Sequence, residues 1–222
     1  MTNPNNDINS YYSKRAPEYE QIYYRDIPER QQEIADIEIY LENLVTGKSI
    51  LELACGTGYW TVCMSKSAKC IISSDYSAEM ITEAKKKTYI CPTQFVQADM
   101  YSMPIPAHSV DLAVFGFWFS HEPKQKYERF FKLIKSFVKK DGQIWLLDNN
   151  SPAEGDEYKS TGTDEHGNNY KQRFLDNGEE YSVLKNYFDE KLLKEIFDAD
   201  FEIEELVYKK YYWHILLKPK SS

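Results

Sequence analysis

The chain has 222 residues, enough to bury a sizeable core, and 42% of them are hydrophobic, with 18 Tyr and 11 Phe. Thirty-five acidic against 27 basic residues give a net charge of −8, which weighs against nonspecific phosphate attraction and so against a nucleic-acid partner. The balance favours a small or cationic partner, or simply a surface charged for solubility.

No basic segment followed by an apolar run opens the chain, and no stretch of about 18 apolar residues occurs, so a soluble, cytoplasmic protein without membrane association is expected. Cys55, Cys63, Cys70 and Cys91 lack paired C-x-x-C spacing, so they are read as reduced core residues and no metal site is expected. No linker divides the sequence. One domain over residues 1–222 is expected, with residues 1–10 disordered and residues 11–45 forming N-terminal cap helices.

Pro28 starts an amphipathic helix over residues 29–44, with Ile34, Ile37, Leu41 and Leu44 on one stripe. A strand over 49–54 follows, then a glycine turn, a helix to about residue 67 and a second strand, CIISSD, ending at Asp75. Ser77 caps the next helix, whose Met80, Ile81 and Ala84 face inward. Strands recur at 93–97, 110–115 and 143–148. Between the last two, Tyr127, Phe130, Phe131, Ile134, Phe137 and Val138 mark a helix closed by Asp141-Gly142. Short apolar strands alternating with helices imply a parallel sheet covered on both faces. Asn177-Gly178 then signals a hairpin within 170–185, a helix carries Leu192, Leu193, Ile196 and Phe197, and the end reads as two strands turning at Lys209-Lys210. So short a connection makes that last pair antiparallel.

A turn with Gly56 and Gly58 at the end of a strand in a parallel sheet lets backbone approach a nucleotide-type ligand. The dinucleotide version of this turn wants a third glycine where Thr61 stands, and Glu52 suits an ammonium or sulfonium better than two phosphates. Asp75 lies 19 residues after Gly56, a distance at which a carboxylate can accept both hydroxyls of a ribose, and Asp99 follows the third strand, where it could accept from an adenine amine. Taken singly, either acid could equally be a helix cap.

In this order and spacing, LELACGTGYWT, SSDYSAEMITEAKKK, FVQADMYSMP and VDLAVFGFWFSHEP resemble the successive motifs of class I S-adenosylmethionine-dependent methyltransferases of the small-molecule type. The resemblance runs from about Tyr11 to the C-terminus. It implies a Rossmann-like three-layer sandwich, with a seven-stranded, mostly parallel sheet and an antiparallel last strand. It implies S-adenosylmethionine as cofactor and S-adenosylhomocysteine as product. Ala54, Gly56 and Gly58 would line the methionine moiety, Asp75 the ribose, Tyr76 and Met80 the adenine face, and Asp99 with Met100 the adenine edge. Glu52 is also nominated for the cofactor, from its charge near the turn. Phe115 would close the sulfonium side. YYSKRAPEYE is similar to a segment that folds over the cofactor, which nominates Tyr11, Arg15 and Tyr19. Ala54 and Tyr59 or Trp60 stand where the family often has its outer glycines.

Methyl transfer is an in-line displacement that needs alignment and exclusion of water, with a base only if the acceptor must lose a proton. His121 is the candidate base, or else a capping residue of the following helix. Trp118 and Phe119, with Phe117, either floor an acceptor pocket or belong to the core. An insertion at 150–187 would cover that pocket, and within it Arg173 could pair with a substrate carboxylate or stand solvated. The expected acceptor is an oxygen or nitrogen of a small molecule, used by a monomer or homodimer. A non-catalytic binder of the same cofactor and an NAD-dependent oxidoreductase are the alternatives.

Overall fold

The structure, a computed structural model, describes residues 4–24, 26–150 and 162–220. With strands numbered in chain order, β1 (Ser49–Leu53), β2 (Cys70–Asp75), β3 (Thr93–Gln97), β4 (Val110–Gly116) and β5 (Val138–Asn149) run parallel. Two more strands, β9 (Phe201–Tyr208) and β10 (Tyr212–Pro219), complete a seven-stranded sheet in the order β3-β2-β1-β4-β5-β10-β9. β10 inserts antiparallel between β5 and β9, as the short turn before it requires. The chain moves outward from β1 to one side and returns to start β4 on the other. A crevice therefore opens at the carboxyl ends of β1 and β4, where open α/β sheets bind ligands.

Helices α2 (Pro28–Leu44) and α3 (Tyr59–Ser65) cover one face of the sheet, burying Ile34, Ile37 and Leu41 with Trp60 and Met64. α5 (Tyr127–Phe137) and α6 (Glu190–Phe197) cover the other with Phe130, Ile134, Leu193 and Phe197. α4 (Ala78–Ala84) is capped by the Ser77 hydroxyl, which accepts from the Met80 amide. The expected close of α5 at Asp141-Gly142 is corrected: the helix ends at Phe137 and β5 begins at Val138. Val138 faces the same core as the helix stripe, so hydrophobic periodicity alone runs through the boundary. Pairing with β4 then jumps from Val138 to Gln143, leaving residues 139–142 as a bulge.

The expected disorder of residues 1–10 is also corrected. α1 (Pro4–Arg15) begins inside that span and buries Ile8, while residues 1–3 lie outside the described residues. A 3-10 stretch, Ala16–Tyr23, links α1 to α2. Within the 150–187 insertion, residues 151–161 lie outside the described residues. The rest contributes a small antiparallel sheet of β6 (Gly162–Thr163), β7 (Asn169–Phe174) and β8 (Glu180–Leu184), with Gly178 at positive φ in the hairpin turn. Its Leu175, Tyr181 and Val183 pack on Ile8 and Tyr11 of α1. Among the described residues no helix is long and apolar enough to cross a membrane.

Candidate functional site

The turn after β1 holds three residues at positive φ: Ala54 (53°), Gly56 (54°) and Gly58 (81°). A Cβ on Gly58 would lie 2.7 Å from the Tyr89 hydroxyl and 3.1 Å from the Ala84 Cβ, so close packing against the end of α4 demands glycine there. Asp75 fixes the turn from the end of β2. Its carboxylate accepts the Gly56 amide at 2.8 Å and the Ser77 amide at 2.9 Å, while burial raises its pKa. Thr57 and Lys87 both bond Glu20, tying the 3-10 stretch to the same turn.

Around this turn, at the carboxyl ends of β1 to β4, lies a cleft of about 1080 Å³ with its open solvent included. One end is acidic and apolar by turns: Asp75, Tyr76, Met80, Asp99, Met100 and Glu122 line it. Asp99 is exposed and caps a 3-10 turn by accepting the Tyr101 amide at 2.9 Å. Glu122 is buried, accepts from the Tyr101 hydroxyl at 2.6 Å, and burial raises its carboxyl to about 7. The other end is formed by Tyr12, Tyr19, Gly116, Phe117, Trp118 and His121. Phe117 sits at φ 58°, an uncommon conformation for a bulky residue, at the exit of β4.

His121 is 6% exposed, with Nδ1 2.6 Å from the Leu184 carbonyl and Nε2 3.0 Å from the Tyr12 hydroxyl. A carbonyl only accepts, so Nδ1 carries the proton and Nε2 accepts from Tyr12. Burial, then the Lys185 ammonium, hold the ring well below its ordinary pKa. Beneath it, Lys185 donates to Asp148 at 2.7 Å and to the Ser120 hydroxyl at 2.6 Å. Burial works to raise the Asp148 carboxyl, but Lys185 and His121 outweigh it and hold it below the usual range. Among the described residues, no group of three His, Cys, Asp or Glu could hold a metal ion.

The family model described as "Methyltransferase domain" matches residues 50–142. A demethylmenaquinone methyltransferase from Bacillus licheniformis is 27% identical over 121 residues, covering 53% of this chain and 51% of its own. The same kind of enzyme from Lactococcus lactis subsp. lactis is 30% identical over 115 residues, covering 49% and 45%. The chain thus spans about half the length of the curated relatives it matches. Over nearly its full length it superimposes on a solved structure described as a DhpI-SAM-HEP complex, with TM-score 0.75, 25% identity, and 99% and 100% of the two chains covered. Residues 50–142 thus match a methyltransferase domain, and these findings together support a class I S-adenosylmethionine-dependent methyltransferase family.

Against this methyltransferase fold, the nominated residues divide. Ala54, Gly56, Asp75, Tyr76, Met80, Asp99, Met100, Tyr19, Trp118 and His121 all open onto the one cleft. Others do not line it. Glu52 is 2% exposed and accepts from the Thr61 and Ser73 hydroxyls, so Thr61, standing for the third glycine, turns its hydroxyl to a buried carboxylate rather than to a ligand. Gly58 serves packing, as its neighbours show. Phe115 lies on the α5 side of the sheet against Phe130, because β4 continues one residue further and the alternation puts residue 115 in the core. Phe119 is fully buried among Phe130, Phe188 and Phe197. Tyr11 turns toward Tyr181, and Arg15 bonds the Tyr11 hydroxyl. Arg173 lies on β7 and does not line the cleft. Tyr12 and Glu122 join the cleft although nothing in the sequence pattern singles them out. Consecutive helical residues point about 100° apart, so the pair Tyr11-Tyr12 already required that one face elsewhere.

Proposed function

We propose that this methyltransferase domain binds S-adenosylmethionine in the cleft and methylates an oxygen or nitrogen of a small molecule, leaving S-adenosylhomocysteine. The observation that carries this is Asp75: its carboxylate accepts the Gly56 and Ser77 amides, one on each oxygen, and lines the cleft, where the second lone pair of each oxygen would accept from two vicinal hydroxyls. The donor set suits the group. Asp75 would take the ribose, Tyr76 and Met80 the adenine face, Asp99 its amine, and the backbone around Ala54 and Gly56 the amino-acid moiety. When bound, the cofactor supplies an electrophilic methyl carbon on a sulfonium. The Phe117 and Trp118 side chains and the Tyr19 ring exclude water from that end of the cleft.

His121 is not placed to act as a free base on this reading, because Nε2 is engaged by Tyr12 and its proton affinity is depressed. It positions the Tyr12 hydroxyl. The match to a complex containing SAM supports the cofactor, and free cysteines fit a reducing, cytoplasmic setting. Calorimetry with S-adenosylmethionine, S-adenosylhomocysteine and NAD tests the proposal. Micromolar binding of the first two, weakened about tenfold to a hundredfold in Asp75→Ala by loss of charged hydrogen bonds, is expected. Binding of NAD alone overturns it.

A further inference from the structure

Tyr12 and His121 both line the cleft and are bound to each other, and the direction of their bond is settled by a third group that does not line it. The Leu184 carbonyl of β8 stands 2.6 Å from His121 Nδ1, so Nδ1 carries the ring's proton and Nε2 is left with a lone pair. The Tyr12 hydroxyl, 3.0 Å from Nε2, must therefore donate. Burial raises that hydroxyl to about 12, so at neutral pH it has its proton to give. With its one hydrogen committed to His121, Tyr12 Oη has only lone pairs left. Toward a ligand in the cleft it accepts and cannot donate.

The setting of that oxygen is fixed and uncharged. The Tyr12 ring meets His121 edge-on at 5.6 Å, Tyr19 at 5.8 Å and Tyr11 at 5.0 Å, which holds it from three sides. Of Tyr12, Tyr19, Gly116, Phe117, Trp118 and His121, which form this end of the cleft, none carries a charge, since burial keeps His121 neutral. An ionised group brought here would lose its hydration and find no counter-ion among these six. A neutral group that offers a hydrogen is matched instead, because it uses an acceptor that a wholly apolar ligand would leave unpaired.

We propose that Tyr12 Oη, oriented by His121, selects a methyl acceptor that presents a neutral O–H or N–H group at the aromatic end of the cleft. This rests on the methyltransferase function proposed above and narrows its substrate class. Tyr12 touches the acceptor, and His121 is a positioning residue that acts through it. In the transfer, a lone pair of the acceptor oxygen or nitrogen forms the bond to the methyl carbon while the carbon–sulfur pair goes to sulfur. The sulfonium becomes a neutral thioether, and the positive charge appears on the attacking atom. Its O–H or N–H bond is polarised as this happens. The hydrogen bond to Oη therefore strengthens in the transition state, the condition under which an interaction accelerates a reaction. An amine product keeps the proton as an ammonium. An ether product forms as an oxonium and releases its proton to water on leaving. Neither course needs a base, in keeping with a His121 that already accepts from Tyr12.

The test titrates four ring probes of similar size, phenol, aniline, toluene and pyridine, into the full chain saturated with S-adenosylhomocysteine at neutral pH, followed by calorimetry. Phenol or aniline is expected to bind at millimolar concentration with unit stoichiometry. It should bind at least about tenfold more tightly than toluene, which has no polar group, and pyridine, which only accepts; tenfold is the scale of one hydrogen bond. Which of the two binds separates the hydroxyl from the amine. Tyr12→Phe, which keeps the packed ring, should reduce that probe to the level of toluene. His121→Ala frees the Tyr12 hydrogen, so pyridine should gain and the preference for a donor should narrow. Failure of both phenol and aniline to bind, equal binding by toluene or pyridine, or an unchanged preference in Tyr12→Phe overturns the proposal. A uniform loss of all four probes in His121→Ala, the mark of a merely structural contact, removes His121 from it. Failure of S-adenosylhomocysteine to bind instead overturns the cofactor assignment, so the two are read separately.

Discussion

The acidic end of the cleft is made by successive strand ends of one sheet, so its residues arrive in chain order and each is held by backbone bonds of its neighbours. The hairpin end is assembled from α1, the segment after β4, and β7 with β8, which meet only in the folded chain. The first end is rigid because its geometry is that of the sheet. The second depends on side chains that cross between elements, and the Asp148–Lys185 pair is the firmest of these ties.

Breaking that tie gives the largest expected effect. Asp148→Asn leaves a buried ammonium without its charge partner, and urea unfolding should show a loss of about 3–5 kcal/mol. The double variant with Lys185→Met should regain most of it, and a wild-type midpoint for the single variant would remove the pair from its role. At the other end, Gly58→Ala combines a positive φ with contacts of 2.7 and 3.1 Å to Tyr89 and Ala84, for a cost of about 3 kcal/mol.

Acidification separates groups of opposite sign. Burial lowers His214 to about 4, so between pH 6.5 and about 4 the unfolded chain takes up a proton that the folded one refuses, and this contribution to stability falls as pH falls. Burial raises Glu52 to about 7, so its contribution runs the other way, growing as pH falls from about 7 to 4.5. Each is on the order of 3 kcal/mol across its window, and they largely cancel. Melting temperatures of His214→Gln should therefore rise on acidification relative to wild type, and those of Glu52→Gln should fall. Parallel curves for the two variants would contradict the assignment.

The smallest effects sharpen the contrast. Gly178 has φ 84° but nothing within 4 Å of where a methyl group would stand, so Gly178→Ala should cost only about 1 kcal/mol, the price of the backbone conformation alone. Ala54→Gly relieves a positive φ at the opposite end and should raise stability by about 0.5–1 kcal/mol in the same melts.

The same contrast decided what the sequence made legible. β1, the glycine turn, β2 with Asp75, and β3 with Asp99 were readable because short apolar runs end at fixed steps from polar residues, and the sheet puts those ends side by side. Burial periodicity reports that a residue is covered, not by what. Phe115 and Phe119 are as apolar as Phe117, yet of the three Phe117 alone reaches the cleft, because the chain bends at its positive φ. α1 was hidden by its polar first turns, and Glu122 by an ordinary-looking charge after His121. The overall charge of −8 favoured a small or cationic partner, whereas the hairpin gathers three basic side chains, Lys171, Arg173 and Lys185, on one face. Net charge averages over a surface, while a site is set by the few groups that face it.

The Asp75 carboxylate holds the Gly56 and Ser77 amides by bonds within the chain itself. A turn shaped by its own internal bonds has little chain entropy left to lose on binding. Affinity at that end should accordingly show itself as a slow departure rather than a fast arrival, with variants of the turn shortening residence time far more than they slow association.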